Sequence, residues 1–356
     1  MRAARALQTP PGMKALLAVS LLGACTSSSP EPPPACGTPT LSDQLATTQN
    51  EVLSLALASG QLYWLDMGGI GEVSTDAGTP AEIVQGSAAG FALGGTIATN
   101  GTTVYWADGE FPSGSVDSVA PNGGGRTTIA STDEPIGVAI DATNIYWSTF
   151  GSSDDPVGTI VKQPLAGGAQ TILATGLSTV GPIAIDDTNV YWSDMFGAVS
   201  SVPIAGGSVR ALVPAQYTLP PNTILDDTPV GIAVADETIF WTSTPLQGTA
   251  PSTIDSVSVD GGAVTVVATP ATRPLGLAVD DQFAYWAEVG PITPGPGLGT
   301  PPIANQGSLS RIDRDGGGAV QILATGATYP VGPVVSDNAL YYATGAAAST
   351  IYRVVM

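Results

Sequence analysis

The sequence predicts an all-β fold: a seven-bladed β-propeller of four-stranded antiparallel blades, closed by an N-terminal strand that completes the last blade. Three observations predict it. An aromatic pair recurs seven times, as Tyr63-Trp64, Tyr105-Trp106, Tyr146-Trp147, Tyr191-Trp192, Phe240-Trp241, Tyr285-Trp286 and Tyr341-Tyr342, at intervals of 41 to 56 residues. Each pair sits in the same succession of short β-branched runs separated by Gly, Asn and Asp turns, and no useful length of chain shows a helical apolar period. A period of this size marks an array of one supersecondary unit, and short runs between turn residues make that unit a meander of strands.

The elements of the unit follow in order. The first run is built of small and β-branched residues, as in Ile136-Gly137-Val138-Ala139-Ile140 and Leu275-Gly276-Leu277-Ala278-Val279, which suits a strand crowded at an axis. A tight turn comes next and holds Asp141, Asp186-Asp187, Asp236, Asp280-Asp281 or Asp337, because Asp accepts the backbone conformations of a short hairpin. The second run carries the aromatic pair. Side chains alternate across a strand, so one ring goes to each face and every blade offers a large apolar group to both neighbours. After a loop of variable length comes a third run such as Gly158-Thr159-Ile160-Val161-Lys162. A Gly-Gly turn follows, as at Gly167-Gly168, Gly206-Gly207, Gly261-Gly262 and Gly316-Gly317, and a last run such as Thr171-Ile172-Leu173-Ala174 ends the unit. No helix follows these glycine pairs, so they are turns and not phosphate loops. A four-stranded sheet apolar on both faces cannot stand alone, and units of this length pack face to face around an axis.

The seventh unit ends in its third run, Ile351-Tyr352-Arg353-Val354-Val355. Residues 44–64 align without a gap on residues 172–192, which places Leu45-Ala46-Thr47 where an outer strand belongs. An N-terminal strand is therefore expected to complete blade seven and to remove the edges an open ring would expose.

The aromatic runs resemble the Tyr-Trp-Thr-Asp repeats of the low-density lipoprotein receptor propellers. Leu65-Asp66, Ala107-Asp108 and Ser193-Asp194 match the second half of that motif, and Ala287-Glu288 nearly does. Ser148-Thr149, Thr242-Ser243 and Ala343-Thr344 lack the acid, and that family has six blades where seven units are counted here. The resemblance spans residues 42–356 and implies architecture, not a shared ligand.

Arg2, Arg5 and Lys14 precede an apolar run from Ala15 to Leu22 and then Gly23-Ala24-Cys25. A basic start, a short apolar run and small residues after it make an export signal, too short to span a bilayer; Met13 is an alternative start. Leu21-Leu22-Gly23-Ala24-Cys25 resembles the lipobox of bacterial lipoproteins, which implies cleavage before Cys25 and lipidation of its sulfur. The alternative is an ordinary signal peptide in which Cys25 is incidental. Residues 26–39 are rich in Ser and Pro and are expected to be an extended tether. The expected division is a signal peptide over residues 1–24, a tether over 25–41 and the propeller over 42–356. By resemblance to Gram-negative lipoproteins, Thr26 carries no Asp-type inner-membrane retention signal, which implies lipid anchoring at the outer membrane. Cys36 then stays unpaired; without lipidation, a disulfide between Cys25 and Cys36 is the competing arrangement.

The chain has 10 basic and 30 acidic residues. Three of the basic and none of the acidic residues lie in 1–24, which leaves seven against 30 and a net charge of −23. Such a surface repels phosphate backbones, so no nucleic-acid partner is expected. There is no histidine, and both cysteines fall in the N-terminal 36 residues. The usual general base, His-dependent nucleophiles and thiol or zinc chemistry in the propeller are thereby excluded. What remains is carboxylate pairs and oxygen-liganded Ca²⁺ or Mg²⁺; no cofactor is expected, and Ca²⁺ is the metal such a chain could hold.

In an up-and-down blade the first-to-second and third-to-fourth turns share one end of the ring, and here they are short. The second-to-third and inter-blade connections share the other end, and the insertions at 149–157, 216–228, 243–252 and 289–306 all fall there. Loops grown on one end of a rigid scaffold are where binding usually resides. The acids of that end are Asp66, Asp108, Asp194 and Glu288 after the aromatic pairs, Glu110, and the loop pairs Asp154-Asp155 and Asp226-Asp227. The first four occupy equivalent positions, so hydrogen bonding to loop backbone at a strand end is the simpler role for them, and the loop pairs are the better ligand candidates. The expected function is a non-enzymatic cell-surface scaffold that binds a protein or glycan. The alternative is a divalent-cation-dependent hydrolase, lactonase or lyase with carboxylates at the propeller mouth.

Overall fold

The computed structural model describes residues 42–76, 78–85, 95–109, 114–150, 157–194, 196–215, 231–244, 251–270, 272–290, 305–336, 338–345 and 348–356. The signal, the tether, Cys25, Cys36, Glu110, Asp154, Asp155, Asp226, Asp227 and Asp337 lie outside the described residues.

Among the described residues, twenty-eight strands form seven four-stranded antiparallel sheets, each a meander of sequence neighbours except one. Blade one holds Val52–Ala58, Gln61–Asp66, Gly69–Ser74 and Ala81–Gln85, and blades two to six repeat this order. In blade seven the strands Val331–Ser336, Ala339–Thr344 and Thr350–Val355 are completed by Ser42–Thr47, which pairs antiparallel with the last of them. The expected closure is present.

The closing strand repeats a detail found in all the other outer strands. In blade three the register slips between Ile160 and Val161, so that Leu173 bulges between partners Ala174 and Ile172. The same slip leaves Ile83, Ile129, Leu212, Val267 and Leu323 bulged in their blades. In the closing strand the slip falls between Gln44 and Ala46, leaving Leu45 bulged. Leu45 is the residue that the gapless alignment sets on Leu173. A bulge steepens local twist, which lets the outermost strand follow the turn of its blade.

The aromatic pairs interlock the ring. All fourteen rings are buried, none more than 6% exposed. Tyr63 packs with Trp106, Tyr105 with Trp147, Tyr146 with Trp192, Tyr191 with Trp241, Phe240 with Trp286 and Tyr285 with Tyr342. Tyr341 meets Trp64 of blade one and closes the circle. Each inter-blade core thus takes the first ring of one blade and the second ring of the next, as the alternation of strand side chains requires.

The inner strands leave no room for side chains where they touch. A Cβ on Gly231 would come within 2.9 Å of the Leu277 backbone, and one on Gly276 would lie 1.9 Å from the Gly332 carbonyl oxygen. Gly276 also has a φ of +80°, which favours glycine.

Candidate functional site

At the tight-turn end the polar side chains are engaged in the scaffold. Asp141 Oδ1 accepts from the backbone N–H groups of Thr143 and Asn144 at 2.6 and 2.7 Å, while its Oδ2 accepts from the Tyr146 hydroxyl at 2.7 Å. Asp186 with Tyr191 and Asp280 with Tyr285 repeat the arrangement, both at 2.6 Å. Burial opposes ionisation of Asp141, but the hydrogen bonds from Tyr146 and the turn outweigh it and hold the carboxyl down at about 2; Asp186 is lowered by the same balance. In two of the blades whose turn lacks this acid the tyrosine finds another partner or is replaced. In blade one the turn is Ser59-Gly60, both at positive φ, and Tyr63 hydrogen-bonds Glu72 of the third strand. In blade five the turn is Asp236-Glu237, also at positive φ, and the ring is Phe240, which has no hydroxyl.

Most of the cations sit toward the same end, and several of them link blades. Arg353 donates to Asp43 of the closing strand and to the Thr75 carbonyl of blade one, both at 2.6 Å. Lys162 reaches the Ile204 carbonyl at 2.6 Å, Arg210 reaches Asp260, and Arg314 reaches Asp236. Arg126 pairs with buried Asp117 at 3.4 Å over the Trp106 ring. Arg311 stacks on Phe283 at 4.1 Å. Of the seven cations after residue 24, only Arg273 lies on the loop-rich side.

At the loop-rich end the acids that follow the aromatic pairs hold strand ends. Asp66 is buried and accepts from Gly68 N at 2.7 Å, Asn50 Nδ2 at 3.4 Å and Trp64 Nε1 at 3.3 Å. Glu288 is buried and accepts from Thr272 N at 3.1 Å and Trp286 Nε1 at 2.8 Å. Asp194 accepts from Phe196 and Ala198 N, both at 2.9 Å; burial nevertheless raises its pKa. Asp108 is half-buried at the end of its strand. The bond to the indole two residues back was not foreseen from the sequence. The Trp-x-acid spacing accompanies it at Trp64 and Trp286 but does not suffice, since Asp194 has the same spacing from Trp192 and accepts from loop backbone instead; Trp147, followed by Ser148-Thr149, has no partner for its Nε1 among the described residues.

Inside this end lies a cavity of about 360 Å³ to which the first strand of every blade contributes. Its walls include Leu53, Leu55, Val138, Ile183, Leu277 and Val334. Its polar side chains are Ser54, Thr96 and Glu51. Ser54 Oγ accepts from Ile97 N at 3.3 Å and Thr96 Oγ1 from Val138 N at 2.7 Å, so both hydroxyls join neighbouring inner strands. Glu51 is the one carboxylate of the described lining, and burial raises its pKa. Among the described residues, no three His, Cys, Asp or Glu side chains gather as a metal site needs. No helix among them is long and apolar enough to cross a membrane.

Neither a protein-family model nor a curated protein matches the chain. Solved structures do. Virginiamycin B lyase from Staphylococcus aureus is 12% identical with a TM-score of 0.63, over 89% of this chain and 98% of that one. A catalytically inactive histidine-to-alanine variant of that lyase with quinupristin gives a TM-score of 0.61. The computationally designed protein Ika8 is 14% identical with a TM-score of 0.54, over 88% and 98% of the two chains. A chain of a nidogen/laminin complex is 18% identical over 64% of this chain and 84% of its own, with a TM-score of 0.47. At these identities the likeness to the lyase and the designed protein is one of fold, and that fold is the β-propeller.

Proposed function

We propose that this chain is a lipid-anchored, cell-surface binding scaffold that takes a protein or glycan through its loop-rich end, with no catalysis of its own. One observation carries the reading. Of the described strand-end acids of that end, Asp66, Asp194 and Glu288 are engaged with backbone and indole N–H groups, while the connections that follow the aromatic strands vary in length from blade to blade. The fold therefore supplies a rigid rim and leaves recognition to the loops. Two further observations agree. Ser42 lies at the tight-turn end of the closing strand, opposite Val354, so the chain enters the ring on the side away from the loops. A histidine-to-alanine variant of the lyase that shares the fold is catalytically inactive, whereas this chain has no histidine at all.

Arrays of bacterial-surface glycans and extracellular proteins, probed with the full chain, test the reading. Binding should survive EDTA and be lost when residues 216–228 are replaced by a short turn. A cation-dependent enzyme would behave differently. A Ca²⁺ site formed by Asp154, Asp155, Asp226 and Asp227 would stabilise the folded state by about 2.7 kcal/mol at a hundredfold excess over Kd. A Ca²⁺-specific rise in melting temperature, absent with matched Mg²⁺ and abolished by Asp154→Asn or Asp227→Asn, would overturn the scaffold reading. The anchor is tested separately: Cys25→Ser should abolish acyl labelling and membrane association and leave the propeller's melting unchanged.

A further inference from the structure

We propose that the axial cavity is a binding site for a small organic cation, an amine carried on a compact apolar body. The described lining of the cavity comes from the inner strands and the residues that lead into them, and its test is separate from that of the loops. Its shape is set by the closed ring: all seven first strands contribute to it, and their contacts at Gly231 and Gly276 leave no space for the strands to draw closer. A cavity of about 360 Å³ lies within the range of small-molecule pockets, which are mostly apolar with a few placed polar groups.

The polar groups select the ligand. Ser54 and Thr96 are engaged between strands, whereas the Glu51 carboxylate makes no hydrogen bond with any described residue and is half-buried beside apolar walls. A carboxylate so placed lacks the partner that would offset its partial loss of water. No cation lines the cavity, and Arg273 is the single described cation on this side of the ring. Asp66, Asp133, Glu134, Asp194 and Glu288 add negative charge at the same end of the ring, which favours the approach of cations. One carboxylate is far short of the about six to eight oxygen ligands that Ca²⁺ takes, so a metal ion does not fit the same description. A protonated amine does: it donates to Glu51 while its apolar body covers Leu53, Leu277 and Val334.

A matched series tests this with the full chain. 1-Adamantanamine, 1-adamantanol and adamantane-1-carboxylate share one body and differ in charge. Calorimetric titration at pH 7.5 should show the amine binding about tenfold or more tighter than the alcohol, and the carboxylate not binding. Glu51→Gln should bring the amine to the affinity of the alcohol without lowering the melting temperature. Leu53→Trp, which fills the cavity, should abolish binding of both. Equal affinity for amine and alcohol, an unchanged amine affinity in Glu51→Gln, binding that survives Leu53→Trp, or no binding by any member of the series would each overturn the proposal. Exchange of residues 216–228 should leave amine binding intact, so failure of the loop reading and failure of this one are separate results.

Discussion

The two ends of the ring use the same kind of residue for different purposes. At the tight-turn end, Asp141, Asp186 and Asp280 each satisfy a turn and a tyrosine hydroxyl, and arginines bind across blade boundaries. At the loop-rich end, Asp66 and Glu288 reach inward to an indole two residues back, and beyond them the connections differ in length from blade to blade. A repeated scaffold can thus fix both ends of its strands while leaving only one end free to diversify. Cations follow the same division: they stand where blades must be joined and are nearly absent where a ligand would approach.

The largest effect that would break this picture comes from the closing strand. A chain starting at residue 49 lacks Ser42–Thr47, exposes the edge of Thr350–Val355 and loses the Asp43 partner of Arg353. It also loses Thr48, which donates to the Ser349 carbonyl at 2.8 Å. A native domain is only about 5–15 kcal/mol stable, so such a chain should melt many degrees lower or aggregate, compared by calorimetry with a chain starting at residue 38. Equal melting of the two would refute the closure as a stabilising feature.

Single substitutions sharpen the comparison of the two ends. Glu288→Ala leaves the buried Trp286 Nε1 and the Thr272 N–H without their acceptor and should cost about 1–3 kcal/mol in urea unfolding. Tyr146→Phe removes one hydroxyl from Asp141, which keeps its two backbone donors, and should cost about 1 kcal/mol or less. If Tyr146→Phe proved the more damaging, the strand-end acids would not be the stronger supports.

The repetition made the fold legible. Each strand signal is weak alone, but seven aligned copies fixed the blade count, the alternation of the two rings and the missing outer strand, and Leu45 falls in the bulge position of Leu173. The tyrosine–aspartate bond was not read, because an Asp in a hairpin turn is already explained by its backbone. The five-residue spacing of Asp141 to Tyr146, Asp186 to Tyr191 and Asp280 to Tyr285 held the signal. Of the site, the strand-end positions of Asp66, Asp194 and Glu288 were readable from the motif. Glu51 was not, because which residues face the axis is decided by seven strands meeting, and no single unit contains that information. Asp154, Asp155, Asp226 and Asp227 lie outside the described residues.

A smaller effect is expected from pH. Burial raises the carboxyls of Glu51, Glu72, Glu134, Asp194 and Asp255, so each disfavours the folded state when ionised and favours it once protonated. The high negative charge adds self-repulsion that acid relieves. Asp141 and Asp186 are lowered, so their contribution is present above the ordinary carboxylate range and is lost as pH falls toward about 2. The melting temperature should therefore rise modestly from pH 7 to about pH 5 and fall below about pH 3.5. A steady fall from pH 7 downward would show that the lowered carboxyls dominate.

The division of the ring into a scaffold end and a binding end can be tested by blocking each end in turn. Asp133 and Ala142 are both exposed and flank the same inner strand, Pro135–Ile140, at its loop-rich and tight-turn ends. With Cys25 and Cys36 replaced by serine, a cysteine at either position is the sole thiol of the chain and can carry a bulky polyethylene-glycol maleimide. Binding to whichever array ligand the unmodified chain retains is then measured for both conjugates. The polymer on Asp133→Cys should abolish binding, and the polymer on Ala142→Cys should leave it intact. Loss of binding from the Ala142→Cys side, or retention with the polymer on Asp133→Cys, would contradict that division.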